Sequence, residues 1–209
     1  MPFCSRVCTH IALALLSLSS VAQAGGGPLG IDQRLTLDDH GIWARKVQLG
    51  LLGTMVATEG AVALWEGGDS RLGKTAWQSL DATLVGGVAV EIAKLAFSRE
   101  RPLTTDNPNR WFTGHGNASF PSGEATLTTA IVTPMMLEYG RDHPAVYGLA
   151  LLPAYDAIAR VKTRGHWQSD VLAGIALGGF VGYEMHERNV PLTLSVLPDG
   201  FHAGFKARW

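Results

Sequence analysis

The stretch ARVKTRGHWQSD, residues 159–170, decides how this sequence is read. Arg160 precedes His166 by six residues, and Asp170 follows His166 by four. Residues 171–185, VLAGIALGGFVGYEM, continue it with no helix breaker except glycine and read as a helix. On a helix, positions four apart share a face. Asp170 is therefore expected to accept a hydrogen bond from one nitrogen of His166. That fixes the tautomer and leaves the other nitrogen as a nucleophile or base. Arg160 is out of phase with His166 on a continuous helix, so Gly165 is expected to mark a turn between them. An arginine beside an oriented histidine suits an anionic substrate, because its planar fork holds phosphate oxygens in pairs. Taken alone, the stretch fits an ordinary His–Asp helix pair with an unrelated arginine equally well, and the flanking segments have to decide.

Those segments read as helices. Apolar residues recur at three- and four-residue steps over 42–65, and further helices are expected over 75–97, from Ser122 to about Tyr139, over 145–160 and over 167–187. Pro134 and Pro153 fall inside two of them, where a kink or break is expected. Residues 103–120 form a polar loop, long for a structureless connection and therefore expected to be functional. After residue 192 the character changes: Pro198-Asp199-Gly200 between two apolar runs is a hairpin signal. The expected fold class is all-α, a helical bundle of about five core helices with a small C-terminal β-hairpin over 192–209.

The 209 residues suit one domain over 25–209, and a net charge of −1 does not point to nucleic acid. Residues 1–24 read as a secretory signal peptide: Arg6, an apolar run over 11–21, then Ala22-Gln23-Ala24 as a cleavage site. The protein is thus expected to be secreted across the inner membrane into the periplasm. Both cysteines, Cys4 and Cys8, lie in that segment, so the mature chain would have neither disulfides nor thiolate metal sites. No uncharged apolar run after residue 24 exceeds 13 residues, which suits buried helices of a soluble bundle better than membrane spans. Mean hydropathy of +0.12 still leaves association with a membrane surface open.

Two upstream junctions carry further chemistry. Lys94 and Arg101 are seven apart, and Pro102 pushes Arg101 out of the helical region to the edge of the loop. A lysine in an apolar helix needs a partner; Glu91 is the structural candidate and a bound anion the functional one. Ser122 is a natural N-cap. The backbone amides of Ser122 and Gly123 at a helix start make an anion site.

In combination, K-x6-R-P (Lys94, Arg101, Pro102), then Pro121-Ser122-Gly123, then R-x5-H-x3-D (Arg160, His166, Asp170) resembles the phosphatidic acid phosphatase type 2 superfamily. That family comprises lipid phosphatases, class A acid phosphatases and vanadium haloperoxidases. The resemblance implies a metal-independent phosphatase acting on a phosphomonoester or diphosphate of a small molecule or lipid. It assigns Lys94, Arg101 and Arg160 to the phosphate oxygens, assisted by the amides of Ser122 and Gly123. His166 becomes the nucleophile that forms a phosphohistidine, and Asp170 orients and charge-balances it. It implies no cofactor, and phosphate or vanadate would fill the same pocket. A phosphotransferase, a haloperoxidase and a catalytically altered binder of phosphorylated ligands are the competing readings.

One position departs from the family. Its middle motif continues with a histidine that protonates the leaving oxygen, and here that position is Glu124. Three readings follow: Glu124 serves as the acid if its proton is held, His115 on the preceding loop replaces it, or protonation is dispensed with for good leaving groups. Among bystanders, Trp43, Trp65, Trp77 and Trp111 read as packing residues. Gly174, Gly178 and Gly179 read as close-packing positions. Lys162 and Arg164 fit either substrate contacts or a solvated basic turn.

Overall fold

The structure is a computed structural model and describes residues 25–114, 118–188 and Pro191. Five α-helices follow in chain order: α1 Arg45–Glu66, α2 Arg71–Phe97, α3 Gly123–Tyr139, α4 Leu151–Lys162 and α5 Gln168–His186. The only pairing of strand type among the described residues is an isolated antiparallel bridge between Gly26 and Asp32. The expected signal peptide, His115 and the C-terminal hairpin lie outside the described residues.

The helix ends follow local chemistry. Ser70 caps α2 by accepting from the Gly73 amide at 2.9 Å, which starts the helix four residues before the expected Thr75. Ser98 ends it in the left-handed region, φ 40°, and turns the next residue, Arg99, inward to complete burial. Pro153 falls in the first turn of α4, where its missing N–H costs little. The expected fourth helix is accordingly split into a 3-10 segment, Pro144–Ala150, and α4. Pro134 breaks nothing: α3 runs through it. Pro134 is wholly buried, in a helix that packs most extensively on α5 and α2, and that packing holds the turn.

α3 is the spine of the bundle, and its buried threonines are satisfied within it. Thr126, Thr129 and Thr133 return their hydroxyls to the carbonyls of Ser122, Ala125 and Thr129 at 2.9, 2.7 and 2.7 Å. α5 approaches it along glycines. A Cβ on Gly174 would lie 2.6 Å from the Ser122 carbonyl oxygen, and one on Gly178 would lie 2.3 Å from that of Thr126. Gly182, not Gly179, is the third contact of this kind, since Gly179 faces open space. Gly178→Ala should therefore destabilise by about 1–3 kcal/mol through overpacking against backbone. Gly179→Ala should cost nothing and slightly favour the helix. Paired thermal unfolding curves check both.

Outside this seam the surface is apolar. Leu95 is 81% exposed, and Trp65, expected to pack, is 83% exposed. Trp77 is buried, Trp43 stacks on Tyr155, and Trp111 packs edge-on to Phe97 and Phe120. By length and composition α1 alone among the described helices is long and apolar enough to cross a membrane, and most of it is exposed.

Candidate active site

The loop–helix junctions at the start of α3 and α5 and the end of α2 converge on one pocket of about 260 Å³. Lys94, Arg101, Gly123, Glu124, Arg160 and His166 all line it. Of residues 103–120, expected to be functional, none of the described ones lines it; α1 and α2 do, through Arg45, Leu52, Gly87, Val90 and Glu91.

His166 is held differently from the expectation. It precedes α5, so the one-turn relation to Asp170 does not apply. Its Nδ1 lies 2.6 Å from the Ser119 carbonyl oxygen and 3.9 Å from Asp170 Oδ2. A carbonyl oxygen can only accept, so Nδ1 carries the hydrogen. Burial, then the Arg160 and Arg101 charges, hold His166 well below its ordinary value, and the ring is neutral at pH 7. Nε2 is therefore unprotonated, and its lone pair accepts a long hydrogen bond from Arg101 Nη1 at 3.4 Å.

Asp170 acts at one remove. It accepts from Ser119 Oγ at 2.5 Å and, as the third residue of α5, from the Trp167 amide at 2.8 Å. It thus holds Ser119, whose carbonyl holds His166. Its other oxygen takes Arg99 Nη1 at 2.5 Å. Arg99 also donates to Asp32 Oδ2 at 2.6 Å and Ser169 Oγ at 2.8 Å, and these three side chains are buried. Burial raises the Asp170 carboxyl from its ordinary value, opposed by Arg99, Ser119 and Trp167.

The cations are fixed by the backbone they emerge from. Arg101 donates to the carbonyls of Gly165 at 2.8 Å and Ala118 at 3.1 Å. Arg160 folds back on Gly165, where a Cβ would lie 2.3 Å from its Nη2, which is why the turn needs glycine there. It donates to Gln48 Oε1 at 2.9 Å. Burial, then repulsion from Arg45 and Arg101, lowers Arg160 to about 10; it stays charged, and an entering anion relieves the repulsion. Lys94 pairs with Glu91, its expected structural partner, at 2.7 Å and faces the pocket beside Gly123. Ser122 is a correction. Its amide donates to the Asp170 carbonyl at 3.0 Å, so it is spent inside the fold. The residue serves as N-cap of α3, and Gly123 and Glu124 bring the helix start to the pocket. Lys162 and Arg164 turn to the lead-in segment, at Asp38 and the Leu35 carbonyl.

Glu124 forms a two-pronged ion pair with Arg45, Nη1 to Oε2 at 2.5 Å and Nη2 to Oε1. Oε2 also lies 3.6 Å from Arg160 Nε. Beneath this pair Asp156 is wholly buried, and neither of its oxygens has a hydrogen-bond partner. Burial, then the Glu124 charge, raises it from 3.8 to about 7. A raised folded-state value gives stability that is complete below the unfolded value and lost as pH rises through the folded one. Asp156→Asn should therefore stabilise by about 2–4 kcal/mol at pH 8 and change little below pH 4. Denaturant midpoints at the two pH values check this.

Sequence reasoning missed Arg45, Gln48, Arg99 and Ser119 as site builders. Arg45 carried a signal: a cation opening a helix opposes the macrodipole and needs a reason to be there. Gln48 was a lone amide among apolar residues, and Arg99 a third cation in the Lys94–Arg101 segment.

A helical bundle that points three buried or half-buried cations and an unprotonated imidazole nitrogen into one cavity defines an anion-handling helical fold. The chain belongs to the PAP2 superfamily, the phosphatidic acid phosphatase type 2 group, whose family pattern matches residues 75–190. It is also 35% identical over 106 residues to a lipid A 1-phosphatase of Porphyromonas gingivalis, covering 50% of this chain and 21% of that protein. The chain thus spans about a fifth of that relative's length. No solved structure gives a significant match.

Proposed function

We propose that the protein is a metal-independent phosphatase that hydrolyses a lipid-linked phosphomonoester or diphosphate through a phosphohistidine on His166. The observation that carries this reading is the His166 tautomer: Nδ1–H is spent on the Ser119 carbonyl, and Nε2 is unprotonated, with only a long contact to Arg101, in a pocket walled by Lys94, Arg101 and Arg160. Those cations, with the Gly123 amide at the start of α3, suit the equatorial oxygens of a transferring phosphoryl group, which is most of what phosphoryl transfer asks of a protein. Imidazolium formed on phosphorylation keeps its Nδ1–H bond to Ser119, with Asp170 balancing the charge from 3.9 Å. Arg101 and Arg160 stay in place through the second step, in which water displaces the imidazole.

The lipid part rests on the relative's name and on the groove beside the pocket. An open, almost wholly apolar groove of about 550 Å³, lined by Leu84, Val88, Ile92 and Leu95, shares Gly87, Glu91 and Leu127 with the phosphate pocket. An acyl or prenyl chain lying there would leave its phosphate beside Lys94. The apolar exposure of α1 and α2 fits association with a membrane, and the leader-like residues 1–24 fit export to the periplasm. Incubation with labelled substrate, an alkaline quench and peptide mapping tests the reading: label is expected on His166. A binder of phosphorylated ligands, which the Glu124–Arg45 pair at the acid position also fits, would hold phosphate and never become labelled.

A further inference from the structure

The acid position of this site holds a carboxylate–guanidinium ion pair in place of a proton donor. Both Glu124 oxygens accept from Arg45, so the carboxylate acts as an acceptor. Arg45 is itself placed by Gln48. That wholly buried amide accepts from Arg45 Nη1 at 3.2 Å and Arg160 Nη1 at 2.9 Å through Oε1, and donates to the Trp43 carbonyl at 2.7 Å through Nε2. One side chain thus spaces the two guanidiniums. Arg160 and His166 are buried, whereas Arg45, in the lining of the same pocket, is 47% exposed. In-line displacement puts the leaving oxygen across phosphorus from Nε2, away from the buried His166.

We propose that Arg45, held by Glu124 and Gln48, is the leaving-group residue of this site, and that the site selects diphosphates over simple alkyl phosphates. This rests on the phosphohistidine reading. In the first step the Nε2 lone pair forms the N–P bond. The bridging P–O bond breaks with its electron pair on the leaving oxygen, and the departing phosphate carries that charge against Arg45 with no proton supplied. In the second, water oxygen bonds to phosphorus, the N–P pair returns to Nε2, and the water proton leaves with the phosphate product or to solvent. A simple alkyl phosphate would expel an alkoxide, which a cation at this distance stabilises far less than a proton does. Diphosphates need no such proton.

The test is a leaving-group series: aryl phosphates of graded phenol acidity, an alkyl phosphate and an alkyl diphosphate. It is run on wild type, Arg45→Met, Arg45→Lys, Glu124→Gln and Glu124→His, with circular dichroism confirming each fold. For wild type, kcat/KM should fall steeply as the leaving group becomes more basic, with the diphosphate roughly 100-fold or more above the alkyl phosphate. Arg45→Met should lose roughly 100-fold on the diphosphate and much less on the most acidic aryl phosphate, and Arg45→Lys should recover part of the loss. Glu124→His should raise alkyl phosphate hydrolysis by introducing a donor. A flat leaving-group dependence, an equal loss on all substrates in Arg45→Met, or a Glu124→Gln variant that loses activity and the alkaline limb of its pH profile on alkyl phosphate would overturn the proposal. Absence of label on His166 with every substrate would instead overturn the phosphohistidine reading beneath it.

Discussion

Replacing His166 with alanine is expected to abolish turnover, by roughly 10⁴-fold or more in kcat, while phosphate binding is largely kept. On the phosphohistidine reading the nucleophile is removed, but Lys94, Arg101 and Arg160 are anchored by groups other than the imidazole, namely Glu91, the Gly165 and Ala118 carbonyls, and Gln48. Loss of a covalent nucleophile typically costs several orders of magnitude and leaves the binding contribution behind. Retained hydrolysis in this variant would end the phosphohistidine reading. The same residue sets a pH expectation. Only neutral imidazole attacks, and burial with two neighbouring arginines lowers the His166 value well below 6.5. The acid limb of kcat/KM due to this group should therefore fall well below pH 6.5, and activity should persist where an ordinary histidine would already be protonated.

Arg99→Met is expected to be the most destabilising substitution away from the pocket wall, by about 3–5 kcal/mol, because it strands buried charge. Arg99 is wholly buried and pairs with both Asp32 and Asp170, and its guanidinium lies 4.4 Å from the Trp111 ring centre. Removing it leaves two buried carboxylates facing each other around Ser169. Asp170 would then release Ser119, and the Ser119 carbonyl would no longer fix His166. Arg99→Lys should recover little, since one ammonium cannot reproduce the fork that reaches Asp32, Asp170 and Ser169 together. Chemical denaturation reads the stability loss. Imidazole proton resonances of His166, sensitive to the Nδ1–H bond, read the loss of orientation.

The helices were legible because apolar periodicity and local caps such as Ser70 and Ser122 act within a few residues of themselves. The same locality explains the errors. Pro134 looked like a break, since its neighbours along the chain could not reveal the helices on either side that hold it. The His166–Asp170 spacing looked like a helical pair, yet α5 starts only at Gln168, and a two-residue offset in a helix start changes which groups can meet. Trp65 looked like a packing residue from its type alone, and no neighbour covers it.

The site divides in the same way. Lys94, Arg101, Glu124, Arg160 and His166 were readable from motif order, because reactive groups at loop–helix junctions keep fixed chain spacings, and all of them meet in one pocket. Their partners come from far along the chain: Arg45 and Gln48 from α1, Asp32 from the lead-in, Arg99 from beyond the end of α2. By itself the sequence determined the five helices, the cation-and-histidine set and the odd residue at position 124. Only the tertiary structure decided that Ser119 and not Asp170 bonds His166, that the Ser122 amide is spent on Asp170, and that Glu124 faces an arginine. The reason is physical. Helix formation and capping act over a turn or two, whereas the protonation and orientation of a buried group depend on every charge within several ångströms, whatever its place in the chain.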